Sequence, residues 1–317
     1  MTSVNADISQ APGRAIGRAP HPRRKTHFAR TAARWMFVAP AILFVAIFFG
    51  YPIVKNVMMS LEKYTTATFY TGEAPWVGIA NYASVIGSSL FSTTVINTAL
   101  FTIGSIVAQF ILGLGLALFF KRNFPLSGFL RSLLLLPWLL PLIASSAVWK
   151  WILDQDSGAL NQFLGLFGVP HTPWLVSPSL ALVAVIGVNI WLGIPFNTTI
   201  LYSGLQAVPE ELYEAASLDG ATGWKAFWSI TWPSIRSVVS VVIVLGVVYT
   251  LKVVDIILGL TGGGPANSTQ TLATWAYQKS FVQFEFGQGA AVSNVLIVVS
   301  LVFAMVYLYI TRKEVDE

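Results

Sequence analysis

Long runs of apolar residues, separated by short polar segments, dominate the chain. A membrane-spanning helix needs about 20 mainly apolar residues, because its rise must cross a hydrocarbon core of about 30 Å. Six runs are long enough, at residues 35–54, 93–120, 129–153, 180–205, 235–260 and 290–310. None shows the alternating polarity over about ten residues that a membrane β-barrel requires. The pattern therefore predicts an all-α polytopic membrane protein with six transmembrane helices.

Several runs contain proline or glycine. Neighbouring helices in a bundle can satisfy the carbonyls that a proline frees, so we keep these helices and expect kinks. The prolines inside the runs are Pro40, Pro52, Pro137, Pro141 and Pro195. In the second run, Gly113 and Gly115 either allow the close approach of another helix or are merely tolerated.

Composition and charge agree with a membrane protein. The chain is 55% hydrophobic and 10% charged, whereas a soluble domain carries about 25% charged residues. Seven of the 19 Lys and Arg residues precede residue 35. Most of the others beside the runs fall on the same predicted side: Lys121, Arg122, Arg131, Lys225, Arg236, Arg312 and Lys313. Because basic loops stay on the cytoplasmic side, both termini are predicted to be cytoplasmic.

The first and last apolar runs divide the chain into three parts. Residues 1–34 form a basic tail that we expect to be disordered, and residues 35–312 form one transmembrane domain. Residues 313–317 form a short cytoplasmic tail. The basic residues could contact anionic lipid, and their distribution gives no reason to expect nucleic acid as a partner.

Few residues are available for catalysis. The chain has no cysteine, and its three histidines, His21, His27 and His171, all lie outside the six runs. No run holds a pair of carboxylates that could work as acid and base at depth. The phosphate-binding pattern GxxxxGK[ST] is also missing, so Gly262, Gly263 and Gly264 are interpreted as a flexible external turn. We predict no catalytic residue, no metal and no cofactor in this chain.

One cytoplasmic segment, residues 206–234, carries an ordered set of helix signals. Pro209 suits the first turn of a helix, and the next two residues, Glu210 and Glu211, suit its positive end. Gly220 is a natural stop, and Thr222 could cap a second short helix. Pro233 then either ends that helix or begins the approach to the fifth run. The segment is predicted to fold as helix, glycine turn, helix and proline stop.

The same segment resembles the EAA loop of binding-protein-dependent ABC importer permeases. The matching residues are Glu214, Ala215, Ala216, Gly220, Ile230 and Pro233; the family usually has Leu where this chain has Trp232. The phrases YEAASLDGA, LTGGGPANSTQTL and NYASVI are similar to the carbohydrate-uptake branch, and the resemblance covers residues 35–310.

The resemblance implies a type I importer permease bundle in the bacterial inner membrane. It implies four kinds of partner: a second homologous permease, two ATP-binding subunits that hold ATP and Mg, an extracytoplasmic solute-binding protein and a sugar. In that family the EAA loop docks into a groove on the ATPase. By this analogy Glu214 would make a polar contact, Ala215, Ala216 and Gly220 would allow close packing, and Asp219 would brace the turn.

Polar residues inside the runs suggest where a solute could pass, because they are costly in lipid. Asn189 and Asn197 are eight residues apart and share a helix face, with Trp191 and Thr198 nearby; this face either lines a sugar path or bonds to other helices. Lys252 and Asp255 could pair along one helix or touch the solute. Gln109 is a further cavity residue.

Two alternatives remain open from the residues. The first is the same architecture with another solute, such as a glycerophosphodiester, glycerol phosphate or a polyamine. A phosphate-bearing solute would favour basic groups at depth, where Lys150 and Lys252 are available. The second is a stand-alone channel or secondary carrier, which would not need the shaped cytoplasmic segment.

Overall fold

The computed structural model describes residues 26–122 and 124–315, with side chains for 35–122, 124–307 and 309. The described part is almost entirely helical, and its only strand-like feature is a bridge between Glu62 and Trp76. By internal contacts the chain forms two units, Met1–Val54 and Lys55–Glu317. Each unit is described separately below.

The first unit consists, where described, of one apolar helical run. It contains α1 (Thr26–Val45), a π-helical turn (Ala46–Gly50) and the start of α2 (Tyr51–Ser60). Residues 1–25 of the predicted disordered tail lie outside the described residues. Residues 26–34, which were also assigned to that tail, are helical, since α1 begins before the apolar run and continues into it.

The second unit contains the other helices of the described chain. They are α3 (Thr66–Thr71), α4 (Ala80–Ile86), α5 (Ser89–Lys121), α6 (Ser127–Leu134), α7 (Leu136–Leu139), α8 (Leu142–Ile152), α9 (Ala159–Gly165), α10 (Pro178–Gln206), α11 (Glu210–Leu218), α12 (Trp224–Ala226), α13 (Trp232–Leu251), α14 (Asp255–Leu260), α15 (Leu272–Tyr277) and α16 (Phe286–Val315). Two further π-helical turns lie at Phe227–Thr231 and Gln278–Val282.

Five helical segments of the described chain are long and apolar enough to cross a membrane, and a bent pair of helices makes a sixth. The five are Trp35–Ser60, Ser89–Lys121, Pro178–Gln206, Trp224–Leu251 and Phe286–Tyr307. They correspond to the predicted first, second, fourth, fifth and sixth runs. The prediction of an all-α membrane bundle is therefore confirmed.

The third predicted run, 129–153, is not one straight helix. Its two halves, Ser127–Leu139 and Leu142–Ile152, meet at an angle of 97°. Pro141 causes the break, because it has no N–H to donate and its ring forces the preceding residue out of the helical conformation. Leu140 accordingly is extended, with φ −76° and ψ 140°.

The fifth predicted run, 235–260, also ends early. Helix α13 stops at Leu251, and α14 begins at Asp255 after a short non-helical link. The link consists of Lys252, Val253 and Val254, and the backbone N–H of Lys252 caps α13 by donating to the Thr250 carbonyl. Asp255 then lies in the first turn of α14, where the helix dipole favours a carboxylate.

The end of the bundle next to the loop 206–234 is held by an apolar cluster between α5, α10 and α13. Its fully buried members include Ala117, Leu201, Leu205 and Ile235. Gly113 of α5 lies so close to α10 that a methyl group there would come within 2.6 Å of the Cβ of Asn197. The close approach suggested for Gly113 is therefore observed. A methyl group at Gly115 would meet nothing within 4 Å.

The glycine turn after α14 packs tightly against its neighbours. Gly262 and Gly263 have positive φ angles of 66° and 93°. A Cβ at Gly263 would collide with the side chain of Gln270. From α5, Asn97 Nδ2 donates to the carbonyls of Asn267 and Gln270 at 3.1 and 3.0 Å. This packing argues against the flexible turn that the sequence suggested.

Candidate functional site: a membrane cavity and a helical loop

Helix α11 begins and ends as its sequence predicts. Pro209 lies one position before the first turn, as the N-cap, and Glu210 and Glu211 occupy that turn. At the other end Gly220 adopts φ 72°. This conformation lets the next residue, Ala221, donate its N–H to the carbonyl of Ala216 at 2.8 Å. A residue with a Cβ would be strained in this conformation, which explains why glycine occupies this position.

The second half of the loop differs from the prediction. The N-cap is Gly223, with φ 55°, and not Thr222. Pro233 does not end a helix, because it lies in the first turn of α13, within the continuous run Trp224–Leu251. The π-helical turn before it accommodates the proline, and Ser234 Oγ donates to the Ile230 carbonyl at 2.6 Å.

The predicted loop residues divide into two groups. Ala216, Asp219, Ile230 and Pro233 line one groove of about 430 Å³. The other three, Glu214, Ala215 and Gly220, are exposed on the surface outside the groove lining. Asp219 ends α11 through its backbone N–H, which donates to Ala215, and its carboxylate makes no hydrogen bond with any described residue.

Five of the seven predicted pathway residues line one cavity of about 470 Å³ in the second unit. They are Gln109, Asn189, Asn197, Lys252 and Asp255. Gln109 Nε2 donates to the Asn189 carbonyl at 2.8 Å, and Asn197 Nδ2 donates to the Gly193 carbonyl at 2.9 Å. The buried Asn189 Nδ2 has no hydrogen-bond partner among the described residues. The cavity therefore presents amide groups with unused hydrogen-bonding capacity.

The other two predicted pathway residues are not part of the cavity lining. Trp191 is two positions from Asn189, about 200° around the helix, and its ring packs against Trp149 at 5.4 Å. Thr198 follows Asn197 by about 100° and lines a separate groove with Arg131 and other residues. These two side chains lie away from the cavity in this structure, since proximity in sequence does not place residues on the same helix face.

Sequence reasoning missed the aromatic wall of the cavity. Trp138, Phe196 and Tyr249 all line it, with ring centroids 6.2 Å apart for Trp138 and Phe196 and 5.8 Å apart for Phe196 and Tyr249. Trp138 belongs to the short helix α7, just before the break at Pro141. The signal available in the sequence was the pair of prolines beside it, Pro137 and Pro141. A break in a helix can direct a nearby aromatic side chain toward the interior of the bundle.

Lys252 and Asp255 do not form the predicted pair along one helix. The break after Leu251 separates them, and the one ion pair within the described side chains joins Lys279 and Glu285. Lys252 Nζ lies instead over the ring of Tyr249, 4.7 Å from its centroid. Both charges therefore remain available at the cavity wall. Within the same residues no cluster of three His, Asp or Glu could hold a metal ion.

A bundle of apolar spans with an aromatic-lined cavity that holds amide and charged groups, and a folded loop at one end, is typical of membrane transport proteins. Residues 109–314 match the family described as binding-protein-dependent transport system inner membrane component. The chain belongs to this family. It is therefore an inner-membrane permease component of a binding-protein-dependent ABC importer, as the resemblance implied.

Individual relatives extend over nearly the whole chain. The trehalose/maltose transport system permease protein MalF of Thermococcus litoralis is 33% identical, over 91% of this chain and 96% of its own length. The diacetylchitobiose uptake system permease protein DasB of Streptomyces coelicolor is 27% identical, over 98% and 96%. The sulfoquinovosyl glycerol transport system permease protein SmoG of Agrobacterium fabrum is 31% identical, over 87% and 89%.

A solved structure shows the same fold. One chain of a bacterial alginate ABC transporter, in complex with an alginate pentasaccharide-bound periplasmic protein, aligns with a TM-score of 0.78. The alignment covers 92% of this chain and 98% of that chain at 20% identity.

Proposed function

We propose that this chain is the translocation subunit of a sugar importer. It would form the pathway with a second, homologous permease and receive its solute from an extracytoplasmic binding protein. Two ATP-binding subunits would hold ATP and Mg and dock at the loop 206–234. Both termini would then lie in the cytoplasm, with the basic loop ends facing the inner leaflet.

The cavity carries the sugar assignment. Sugars present hydroxyl groups, which amides bind as donors and acceptors, and apolar ring faces, which stack on aromatic side chains. Asn189, Asn197 and Gln109 supply the first kind of contact, and Trp138 and Phe196 supply the second. Two relatives are named for the uptake of trehalose or maltose and of diacetylchitobiose, and these names support the same class of solute.

The charges of the cavity favour a neutral solute over the phosphate-bearing and polyamine alternatives. Its lining contains one base, Lys252, and one acid, Asp255. Lys150, the other basic group that the sequence offered, is exposed on α8 and is not part of the lining. A glycerol phosphate would meet too little positive charge, and a polyamine would meet too little negative charge.

Calorimetry on the partner solute-binding protein tests the solute class. Trehalose, maltose and diacetylchitobiose are titrated into the purified protein, with glycerol 3-phosphate and spermidine as the alternatives. Binding of a neutral sugar supports the proposal. Binding of glycerol phosphate or spermidine, with no heat from any carbohydrate, would replace it with the corresponding alternative.

Docking at the loop is tested by reversing one exposed charge. Glu214→Lys is expected to abolish co-purification of the ATP-binding subunits, because a lysine would stand where the proposal places a polar contact. Glu73→Lys makes the same charge change on a loop that we predict to lie on the opposite side of the membrane, and it should leave co-purification intact. Retention of the ATPase by the Glu214 variant would contradict the proposed docking site.

A further inference from the structure

Helix α11 is attached to the bundle by few contacts. It contains no buried residue. At its carboxyl end the chain continues through Gly220 and Gly223, where an added Cβ would meet nothing within 4 Å at either position. Apolar packing therefore does not fix the position of α11, and the contacts of individual side chains become important.

One side chain of α11, Tyr213, contacts two spanning helices at once. Lys121 Nζ, at the last residue of α5, lies over the Tyr213 ring, 4.0 Å from its centroid. The Tyr213 hydroxyl is 2.9 Å from Thr231 Oγ1, and either group can donate. Among the described residues of α11, Tyr213 is the one whose side chain forms a hydrogen bond or cation–π contact with another helix.

Both attachment points belong to rigid parts of the bundle. Thr231 is 4% exposed and lies in the continuous helical run Trp224–Leu251. Lys121 ends α5, where the helix dipole favours a cation, and no described carboxylate lies within salt-bridge distance of it. The apolar cluster of Ala117, Leu201 and Ile235 joins these same helices one turn or more further inside. Tyr213 thus connects the loop to a packed block.

The geometry of the contact fixes orientation as well as distance. The cation holds the face of the ring, and the hydroxyl holds its edge, so the two contacts act in different directions. Both contacts are made by one side chain, so they restrict how far that point of α11 can move away from α5 and from the run Trp224–Leu251. A displacement of α11 must then be passed on to α5 and α13.

We infer that Tyr213, held by Lys121 and Thr231, is a positioning residue that transmits movement of the loop to the spanning helices. The inference rests on the proposed function, because it assumes that the ATPase docks at this loop. It adds a requirement that docking alone does not contain: without this linkage, docking should change access to the cavity much less than it does in the unaltered transporter.

The experiment separates docking from transmission in the assembled transporter. The chain has no cysteine, so single cysteines can be introduced as reporters, provided that the partner subunits are also made cysteine-free except at the docking groove. Leu218→Cys, at a position 89% exposed, reports docking by cross-linking to a cysteine in the ATPase groove. Leu142→Cys, in the cavity lining, reports access by its maleimide labelling rate with and without ATP and vanadate.

The linkage predicts a graded series of variants. Tyr213→Ala should keep the cross-link but reduce the ATP-dependent change in labelling rate about tenfold, since it removes a cation–π contact and a hydrogen bond together. Tyr213→Phe keeps the ring contact and should have a smaller effect, as should Lys121→Met, which keeps the hydroxyl contact. Lys121→Arg retains a cation over the ring and should behave like the unaltered chain.

The outcomes distinguish failure of the Tyr213 linkage from failure of the proposed docking site. A Tyr213→Ala transporter with an intact cross-link and a full ATP-dependent change would overturn the linkage and leave the docking proposal standing. Loss of the cross-link in this variant would also overturn it, because Tyr213 would then shape the docking surface. Absence of the cross-link even with Tyr213 unaltered would overturn the docking proposal, and the linkage with it.

Discussion

A methyl group added at Gly113 should destabilise the bundle, whereas the same group added at Gly115 should not. The added Cβ of Gly113→Ala would lie 2.6 Å from the Cβ of Asn197 and 3.3 Å from its carbonyl carbon. Ordinary van der Waals contact requires 3.4–4 Å. Neither atom can be moved by rotating a side chain, so α5 and α10 would have to separate.

The magnitude follows from two opposing effects. Overpacking of this kind costs about 1–3 kcal/mol. Replacement of a helical glycine by alanine gains about 0.5–1 kcal/mol in both variants, because alanine restricts the unfolded chain more. Gly115→Ala receives only the gain, since its new methyl group meets nothing within 4 Å. The two variants should therefore differ by about 1–3 kcal/mol in the free energy of unfolding.

Unfolding of the purified transporter in mixed micelles, followed by tryptophan fluorescence, measures this difference. Gly115→Ala is the matched control, because it makes the same substitution on the same helix two residues away. Equal stability of the two variants would refute the argument that the contact between α5 and α10 depends on the missing side chain at Gly113.

Two further predictions follow from contacts of single side chains. Asn97→Ala should accelerate hydrogen exchange in the loop after α14, because it leaves the Gln270 carbonyl unpaired at a cost of about 1–3 kcal/mol, while the Asn267 carbonyl keeps the Gln270 N–H at 3.1 Å; unchanged exchange, measured by mass spectrometry, would contradict this. Lys252→Met should reduce the free energy of unfolding by no more than about 1 kcal/mol, because it removes the cation–π contact with Tyr249 and breaks no ion pair with Asp255. A loss of several kcal/mol in a chemical denaturation experiment would indicate that Lys252 and Asp255 do form an ion pair, and it would contradict the prediction.

The sequence predicted elements well wherever one local rule decided the outcome. The length of the apolar runs located the spans. Gly220 correctly marked the end of α11, because the positive φ angle required there favours glycine. It was less successful where two rules competed. Pro233 was read either as the end of the short helix or as the approach to the fifth run. The helical run Trp224–Leu251 passes through it, with a π-helical turn directly before the proline.

The cavity shows a second limit. Asn189 and Asn197 were placed on one face by helical spacing alone, and both line the cavity. Trp138 and Tyr249 could not be assigned in this way, because their positions depend on where α7 and α13 end. Those ends are set by Leu140 and Lys252, and the spacing within one helix carries no information about contacts between helices.

The loop and the cavity are joined by the two helices that flank the loop. Helix α10 carries Asn189 and Asn197 in the cavity and leads directly into α11, while α13 carries Pro233 at the groove and Tyr249 in the cavity. The 16 residues from Pro233 to Tyr249 span about 24 Å of continuous helix. Such a helix transmits displacement as a rod, whereas the pair α7 and α8, which also lines the cavity, is bent by 97° at Pro141. On the proposed function, movement of the loop would therefore tilt the wall that carries Tyr249 against the wall that carries Trp138, and the aromatic contacts of the cavity would open or close with it.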